Sequence, residues 1–362
     1  MKVSTRALAF VLAACVVFGA AAIADGASSG RPGRNGTIAV VWHHETTLAG
    51  PGGRAKVLRG FRENLDWSPD GSRMAYDRTR SLSEGDVYEL YVAAADGSSP
   101  LRLTTYTAPE VNCDGADTTP SWSADGERLV FDSLRLIGDF CGTKNLWLVD
   151  ADGRNLHPLA GPPPDRCLGR YSPSWSSTGR IAFFWDRQVG VAPNDPGNPV
   201  CEANLYSVRE DGGDLRQLTR YRKGGYFPAD LEWSPNGEQI FYTYQAFRYV
   251  MSADGTGRKM IGGFLPESTT WSPDGKRVAL IGPVRSRMAY WRRRGVPGFA
   301  IYSASLACAE ALPLPPLTVL WRKYFKKPSG RCRSLRPLFY MGPFSAKNGG
   351  YEFGPMRWQP LR

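Results

Sequence analysis

Side chains that could hold a metal ion are scarce in this chain. Only three histidines occur among 362 residues, and two of them are adjacent in His43-His44-Glu45. Neighbouring side chains on an extended segment point to opposite sides, so His43 and His44 are not expected to share one ion. The third, His157, falls in a short outer strand where a surface role is expected. We therefore predict no metal site and no cofactor.

Two short motifs match catalytic or calcium-binding patterns but lack the context that the chemistry needs. Gly26-Ala-Ser28-Ser-Gly30 fits the Gly-x-Ser-x-Gly elbow of serine hydrolases, which requires a buried strand before the serine. This stretch is rich in Gly and Ser and supplies no such strand. Asp150-Ala-Asp152-Gly-Arg-Asn155 has its glycine too early for a calcium loop and lacks the closing glutamate. The sequence therefore predicts no catalytic residue.

Positive charge is concentrated near the C-terminus. From Arg285 to Arg336, twelve Lys and Arg residues face one acid, Glu310, and aromatic residues such as Trp291 and Trp321 lie among them. Such a field attracts anionic surfaces or polymers, and the alternative is a solvated basic patch without a ligand. The residues proposed to bind an anionic partner are Arg285, Arg287, Arg292, Arg293, Arg294, Arg322, Lys323, Lys326 and Lys327.

A repeated turn motif organises the rest of the chain. Trp67-Ser68-Pro69-Asp70-Gly71 recurs, with changes, at five later tryptophans. Proline fits the second position of a type I turn, Asp or Asn closes the turn through its side chain, and glycine takes the positive φ that follows. The tryptophans are expected to be core anchors between repeats. They are Trp67, Trp122, Trp175, Trp233, Trp271 and, in a degenerate C-terminal copy, Trp358.

Each repeat reads as four short strands. An apolar run follows each turn, and most copies carry a second hairpin marked by Asp-Gly, which is a strong hairpin signal between apolar runs. The tryptophans are 55, 53, 58, 38 and 87 residues apart, a spacing typical of β-propellers. Strand 37–42 lacks a first strand, and Trp358 lacks a second. We therefore predict an all-β, six-bladed β-propeller whose first blade is closed by strands from both termini.

The repeat resembles that of the TolB-type, WD40-like (PD40) propeller proteins, and Trp271 to Lys276 matches the family pattern Trp-Ser-Pro-Asp-Gly-Lys without change. The resemblance covers about residues 36–362 and implies a propeller fold. TolB carries an α/β domain before its propeller, and we expect that domain to be absent here. The resemblance is specific for the fold and weak for function, because propellers have many roles.

Six cysteines lie beyond residues 1–24, and an even count favours disulfides. Cys113 and Cys141 fall in a link between blades and in the mid-blade loop that follows. Cys167 and Cys201 occupy the same two places one blade later. Both kinds of loop open on one face, so sequential pairing is expected, with Cys308 and Cys332 paired by elimination and Cys308 at a turn on the opposite face. No Cys-x-x-Cys spacing occurs, which disfavours a metal site.

The N-terminus predicts export. Residues 1–24 combine Lys2 and Arg6, an apolar run and a small-x-small cleavage site, as signal peptides do. The alternatives are a lipoprotein leader with lipidation at Cys15 and a retained anchor. Residues 25–36 are interpreted as a flexible tether and 37–362 as the propeller, with a long basic insertion at 283–350. We expect a secreted or periplasmic monomer that is not transmembrane once the leader is removed.

Long loops are predicted on the propeller face opposite the short turns, at 79–86, 105–117, 134–144, 186–203, 283–297 and 321–350. Elaborated loops on a rigid scaffold often carry function. The leading hypothesis is a binding or scaffolding module of the cell envelope whose partner is a protein, an acidic glycan or an anionic lipid surface, and not nucleic acid. The alternatives are a propeller lyase or hydrolase acting on acidic glycans, and a structural domain with no ligand. No enzyme activity is favoured.

Overall fold

The repeated turn folds as its residue types require. In the computed structural model, the Ser68 hydroxyl donates to Asp70 Oδ1 at 2.7 Å and accepts from the Arg73 backbone N–H at 2.9 Å. Gly71 has a φ of 68°, a left-handed conformation that glycine adopts without steric cost. Asp125 and Asp274 receive equivalent serine hydroxyl bonds in later copies. The turn therefore joins the first and second strands of each repeat tightly.

The structure describes residues 37–42, 45–50, 55–58, 64–82, 85–106, 115–135, 143–161, 167–192, 195–221, 229–244, 247–261, 269–283, 298–310, 336–343 and 353–358. The described strands of the first three blades are, in chain order, β1 (Ile38–Trp42), β2 (Glu45–Ala49), β3 (Ala55–Leu58), β4 (Leu65–Trp67), β5 (Arg73–Leu82), β6 (Gly85–Ala94), β7 (Leu101–Arg102), β8 (Asp117–Trp122), β9 (Arg128–Ser133), β10 (Asn145–Asp150) and β11 (His157–Pro158).

The fourth and fifth blades contain β12 (Gly169–Trp175), β13 (Arg180–Ala192), β14 (Asp195–Arg209), β15 (Arg216–Gln217), β16 (Ala229–Trp233), β17 (Gln239–Tyr244), β18 (Phe247–Ser252) and β19 (Lys259–Ile261). The sixth contains β20 (Thr269–Trp271), β21 (Arg277–Pro283), β22 (Gly298–Ser305) and β23 (Arg336–Pro343), with the short helix α1 (Leu306–Glu310) after β22. The last strand, β24 (Phe353–Trp358), belongs to the first blade.

These strands form six antiparallel four-stranded sheets, arranged as a six-bladed β-propeller. Blade 1 has the order β24-β1-β2-β3, and blades 2 to 6 each consist of four consecutive strands. Ile38 pairs with Trp358 and Ala39 with Arg357. This confirms the predicted closure by both termini, which removes the free sheet edges that a linear array of blades would expose.

The core lies between the blades, and the repeat tryptophans anchor it. Trp67, Trp122, Trp175, Trp233 and Trp271 are all buried, whereas the side chain of Trp358 lies outside the described part. Trp175, for example, packs with residues of blades 3 and 4. The Arg73 guanidinium lies 4.7 Å from the ring centre of Trp122, and that of Arg128 lies 5.3 Å from Trp175. The prediction that the tryptophans pack between blades is confirmed for these five.

A further link between blades escaped the sequence prediction. In four cases the residue before a repeat tryptophan accepts a hydrogen bond from the tryptophan backbone N–H of the next blade. Asp66 binds Trp122, Ser121 binds Trp175, Ser174 binds Trp233 and Glu232 binds Trp271, at 3.0 to 3.3 Å. The signal was present in the sequence, because a polar residue precedes the tryptophan in these blades although the neighbouring positions are largely apolar.

Candidate functional site

The two faces of the propeller differ in their connections. The Trp-Ser-Pro-Asp-Gly and Asp-Gly turns lie on one face, called here the short-turn face. The links between the second and third strands of each blade, and those between blades, lie on the other, called the long-connection face. Three of the predicted loops there are partly strands. β5 and β6 extend through 79–86, β13 and β14 through 186–203, and β23 falls inside 321–350.

The proposed basic residues lie in two segments that leave blade 6 from opposite faces. Residues 284–297 connect β21 to β22 on the long-connection face, and 311–335 follow α1 between β22 and β23 on the short-turn face. The prediction that both segments belong to the long-connection face is wrong for the second, because β23 is the fourth strand of the blade. Arg285 to Arg294 and Arg322 to Lys327 themselves lie outside the described residues.

The most prominent described feature of the long-connection face is a β-hairpin of blade 4. β12 pairs with β13 only as far as Asp186, and residues 187–192 and 195–202 continue beyond the blade as a two-stranded ribbon. We call these residues the blade 4 hairpin. Val189 and Val191 are each 49% exposed and Val200 is 37% exposed. Three large apolar side chains are thus exposed on a paired ribbon, whose register shifts between Gln188 and Gly190 and between Val191 and Ala192.

The two outer edges of this hairpin differ in chemistry. The β14 edge begins with Asp195 and Pro196 and also contains Pro199. Proline cannot donate to a further strand, and natural sheets use it to block strand addition. The β13 edge, from Arg187 to Ala192, contains no proline and one charge. Among the described residues no third strand pairs with it. The β13 edge therefore lacks the proline block of the β14 edge, and its register shifts between Gln188 and Gly190 and between Val191 and Ala192 interrupt its regularity.

A disulfide ties the base of the hairpin to the blade. Cys167 and Cys201 are bonded, with their Cα atoms 5.9 Å apart, which confirms this predicted pair. The Asp186 carboxylate lies close to both sulfurs, but bonded sulfurs offer no thiolate to a metal. Cys308 is also disulfide-bonded, and it is one of the two buried residues of α1. Cys113, Cys141 and Cys332 lie outside the described residues, so the other two pairs stay predictions.

Buried acids near this face serve the scaffold. Glu89 accepts a bidentate pair from Arg80 at 2.7 and 3.0 Å. Asp117 accepts from Arg135 at 2.7 Å, and burial raises the pKa of the Asp117 carboxyl although Arg135 opposes the shift. Asp132 accepts bonds from Lys144 and from the backbone N–H of Ser172 in the next blade.

An arginine buried between blades 5 and 6 shows the same use of charge. The Arg248 Nη1 donates to Asp230 Oδ2 at 2.5 Å, and Nη2 donates to the Thr269 carbonyl of blade 6 at 2.9 Å. Only 1% of the Arg248 side chain is exposed. Asp230 has a φ of 54°. Thr119 and Ser172, at the equivalent places in blades 3 and 4, have φ values of 52° and 49°. These positions coincide with bulges in the inner strands, which bend the strand and orient its polar side chain.

The described histidine has no catalytic surroundings. His157 is exposed in the outer strand β11, as predicted, and its Nδ1 lies 2.6 Å from the Asn155 carbonyl oxygen. His43 and His44 lie outside the described residues. In the described part of the chain, no helix has the length and apolarity needed to span a membrane.

Comparison with known proteins places the chain by fold. No protein-family model matches it, and no curated protein sequence matches either. A chain from a nidogen/laminin complex is similar over 89% of this chain and 98% of its own length, with 12% identity and a TM-score of 0.54. A structure described as a TolB from Agrobacterium tumefaciens has 17% identity, covers 67% of this chain and 87% of its own, and has a TM-score of 0.45. An oligogalacturonate lyase in complex with manganese has 16% identity, coverage of 75% and 71%, and a TM-score of 0.44. The chain is a six-bladed β-propeller, and this likeness concerns the fold alone.

Proposed function

We propose that this chain is an extracytoplasmic β-propeller that acts as a binding or scaffolding module of the cell envelope. Its partner is a protein or an anionic surface that docks on the long-connection face. The leader-like residues 1–24 and the Cys167–Cys201 disulfide support the location, because disulfides persist in oxidising compartments.

The blade 4 hairpin is the observation that carries this proposal. Val189, Val191 and Val200 are exposed on a ribbon that continues beyond the blade and whose base is fixed by a disulfide. Val200 pairs with Gly190, so it lies on the opposite side of the ribbon from Val191. Both sides of the ribbon therefore offer apolar side chains to a partner. A fixed ribbon loses little conformational entropy on binding, which favours affinity.

The basic segments add an electrostatic contribution to this proposal. Arg292, Arg293 and Arg294 fall in residues 284–297, which depart from the long-connection face. A positive field there would increase the rate at which an anionic partner associates and would weaken at high ionic strength. The second segment, which contains Arg322 and Lys323, departs from the short-turn face, so it would engage a different part of a partner.

A binding role agrees better than catalysis with the described carboxylates. Glu89, Asp117 and Asp132 are each neutralised by a cation of the scaffold. A glycan lyase or hydrolase needs acids or bases that are free to exchange protons with a substrate. These three acids are instead held in ion pairs and hydrogen bonds within and between blades.

The test is retention of the mature protein on its own cell-envelope fraction. We expect retention of the wild type, loss of retention for the double variant Val189→Asp/Val191→Asp, and none of that loss for Leu101→Asp. Leu101 is a matched control because it is 47% exposed on the outer strand of blade 2. A salt titration with the triple variant of Arg292, Arg293 and Arg294 to serine measures the electrostatic part. Equal retention of the valine variant and the wild type would contradict the proposal.

A further inference from the structure

A cluster of tyrosines packs against the core between blades 4 and 5. Tyr221 follows β15, and its ring stacks on Tyr244 with ring centres 3.8 Å apart and planes within 9°. Its hydroxyl lies 2.8 Å from that of the buried Tyr242. Tyr249, opposite Tyr242 on β18, stacks on it at 5.5 Å. Tyr221, Tyr244 and Tyr249 are each partly exposed, so the stack borders on solvent.

Arg258, the residue directly before β19, also belongs to this cluster. Its Nη1 donates to the Tyr221 hydroxyl at 3.0 Å. Its guanidinium lies 5.4 Å from the ring centre of Tyr221 and 5.5 Å from that of Tyr249. Arg258 is exposed and takes part in none of the ion pairs found among the described residues. A guanidinium has five N–H donors, so this one is oriented by the tyrosines and keeps donors for a ligand.

This arrangement is not a general feature of the repeat. In blade 2 the cross-strand stack recurs as Tyr76 and Tyr91. Tyr106 follows β7 as Tyr221 follows β15, but it is buried and its hydroxyl donates to Asp117 of blade 3. Arg78 stands on β5 where blade 5 has Tyr244, and its guanidinium lies 5.9 Å from the Tyr91 ring centre. An exposed tyrosine pair capped by an arginine is therefore not repeated at these places in blades 2 and 3.

The chemistry of the cluster fits a sugar that carries a carboxylate. The ring of Tyr221 contacts both Tyr244 and Arg258, and that of Tyr249 contacts both Tyr242 and Arg258. Tyr244, which borders on solvent, therefore supplies the aromatic face on which a pyranose ring can stack. A guanidinium recognises a carboxylate through two parallel N–H donors. A neutral sugar would use only the rings, and a simple anion would use only Arg258. We propose that Tyr221, Tyr244, Tyr249 and Arg258 form a subsite for a uronic acid unit of an acidic glycan. This subsite is separate from the blade 4 hairpin and does not depend on it.

Calorimetric titration with trigalacturonate tests this inference, and its methyl ester serves as a ligand of the same shape without charge. We expect Arg258→Ser and Tyr244→Leu each to weaken binding at least about tenfold, since a charge-assisted contact and a ring contact are lost separately. The ester should bind the wild type at least about tenfold more weakly than the acid. Arg78→Ser, which removes the blade 2 arginine, should bind as the wild type does.

Three results would overturn the inference. One is the absence of binding by the full chain at millimolar trigalacturonate. Another is binding that Arg258→Ser weakens and Tyr244→Leu does not, which would indicate an anion site without sugar recognition. The third is binding to anionic phospholipid vesicles that both variants abolish, without binding to the sugar. Unchanged far-ultraviolet circular dichroism of each variant confirms that the comparison is between folded proteins, and none of these results bears on retention through Val189 and Val191.

Discussion

The buried Arg248 provides a demanding test of how the blades are held together. The change Arg248→Met keeps much of the side-chain volume and removes the charge. It leaves the Asp230 carboxylate, which is 8% exposed, and the Thr269 carbonyl of blade 6 without their donor. Breaking a buried pair from one side costs about 3–5 kcal/mol, because a buried charge is left uncompensated. For a chain of 362 residues, with an unfolding entropy of about 2.1 cal/mol/K per residue, this corresponds to a fall in Tm of about 4–7 °C.

Differential scanning calorimetry and urea denaturation measure this effect, and two variants make it specific. Arg154→Met removes an arginine whose side chain is 80% exposed beside Asp152, and it should cost less than about 1 kcal/mol. The double variant Arg248→Met/Asp230→Asn should recover part of the loss, because it also removes the carboxylate charge that Arg248 balanced, and asparagine tolerates the positive φ at position 230. The reasoning would be refuted if Arg248→Met were no more destabilising than Arg154→Met.

Three further predictions concern the Cys167–Cys201 disulfide, the hydrogen bond from Trp233 to Ser174, and the buried Tyr76. Replacing Cys167 with serine opens a disulfide that spans 34 residues and should lower the unfolding free energy by about 3–4 kcal/mol, as measured by urea denaturation; no change would contradict a bracing role. Ser174→Ala leaves the buried Trp233 backbone N–H without its acceptor and should cost about 1–3 kcal/mol, whereas Ser177→Ala, at an exposed turn position, should be neutral in the same assay. Burial raises the pKa of Tyr76 from 10.0 to about 12, so the folded state keeps a proton that the unfolded state loses. Stability should be full below pH 10 and fall as pH rises through 12; chemical denaturation across this range checks it, and a gain in stability would contradict it.

Local signals made the propeller predictable from the sequence. The Trp-Ser-Pro-Asp-Gly turn is determined by its own residues, because Ser68 and Asp70 bond within the turn and Gly71 supplies the positive φ. The closure by β24 followed from counting strands at the two ends. Both inferences need only short-range chemistry and the requirement that strand edges be paired.

What the sequence did not reveal depends on longer-range context. The blade 4 hairpin lies within the predicted loop 186–203, yet pairing across the hairpin keeps its described residues in strands. The final strand of blade 6 was missed because no Asp-Gly turn marks it, and the error moved a basic segment to the wrong face. The proposed tyrosine subsite brings together Tyr221, Tyr244 and Arg258 from three separate segments. Their spacing in the sequence does not indicate that these side chains contact one another.

Site-specific photocrosslinking from the blade 4 hairpin tests the central claim most directly. A photoreactive amino acid at position 191 would replace one of the exposed valines, and the same residue at position 101 would serve as the control, because Leu101 is exposed on the outer strand of blade 2. In intact producing cells, we predict one discrete crosslinked product from position 191, which is lost when Val189→Asp is added, and none from position 101. Equal crosslinking from both positions, or none from position 191 while the protein is retained on the envelope, would contradict the assignment of the hairpin as the binding surface.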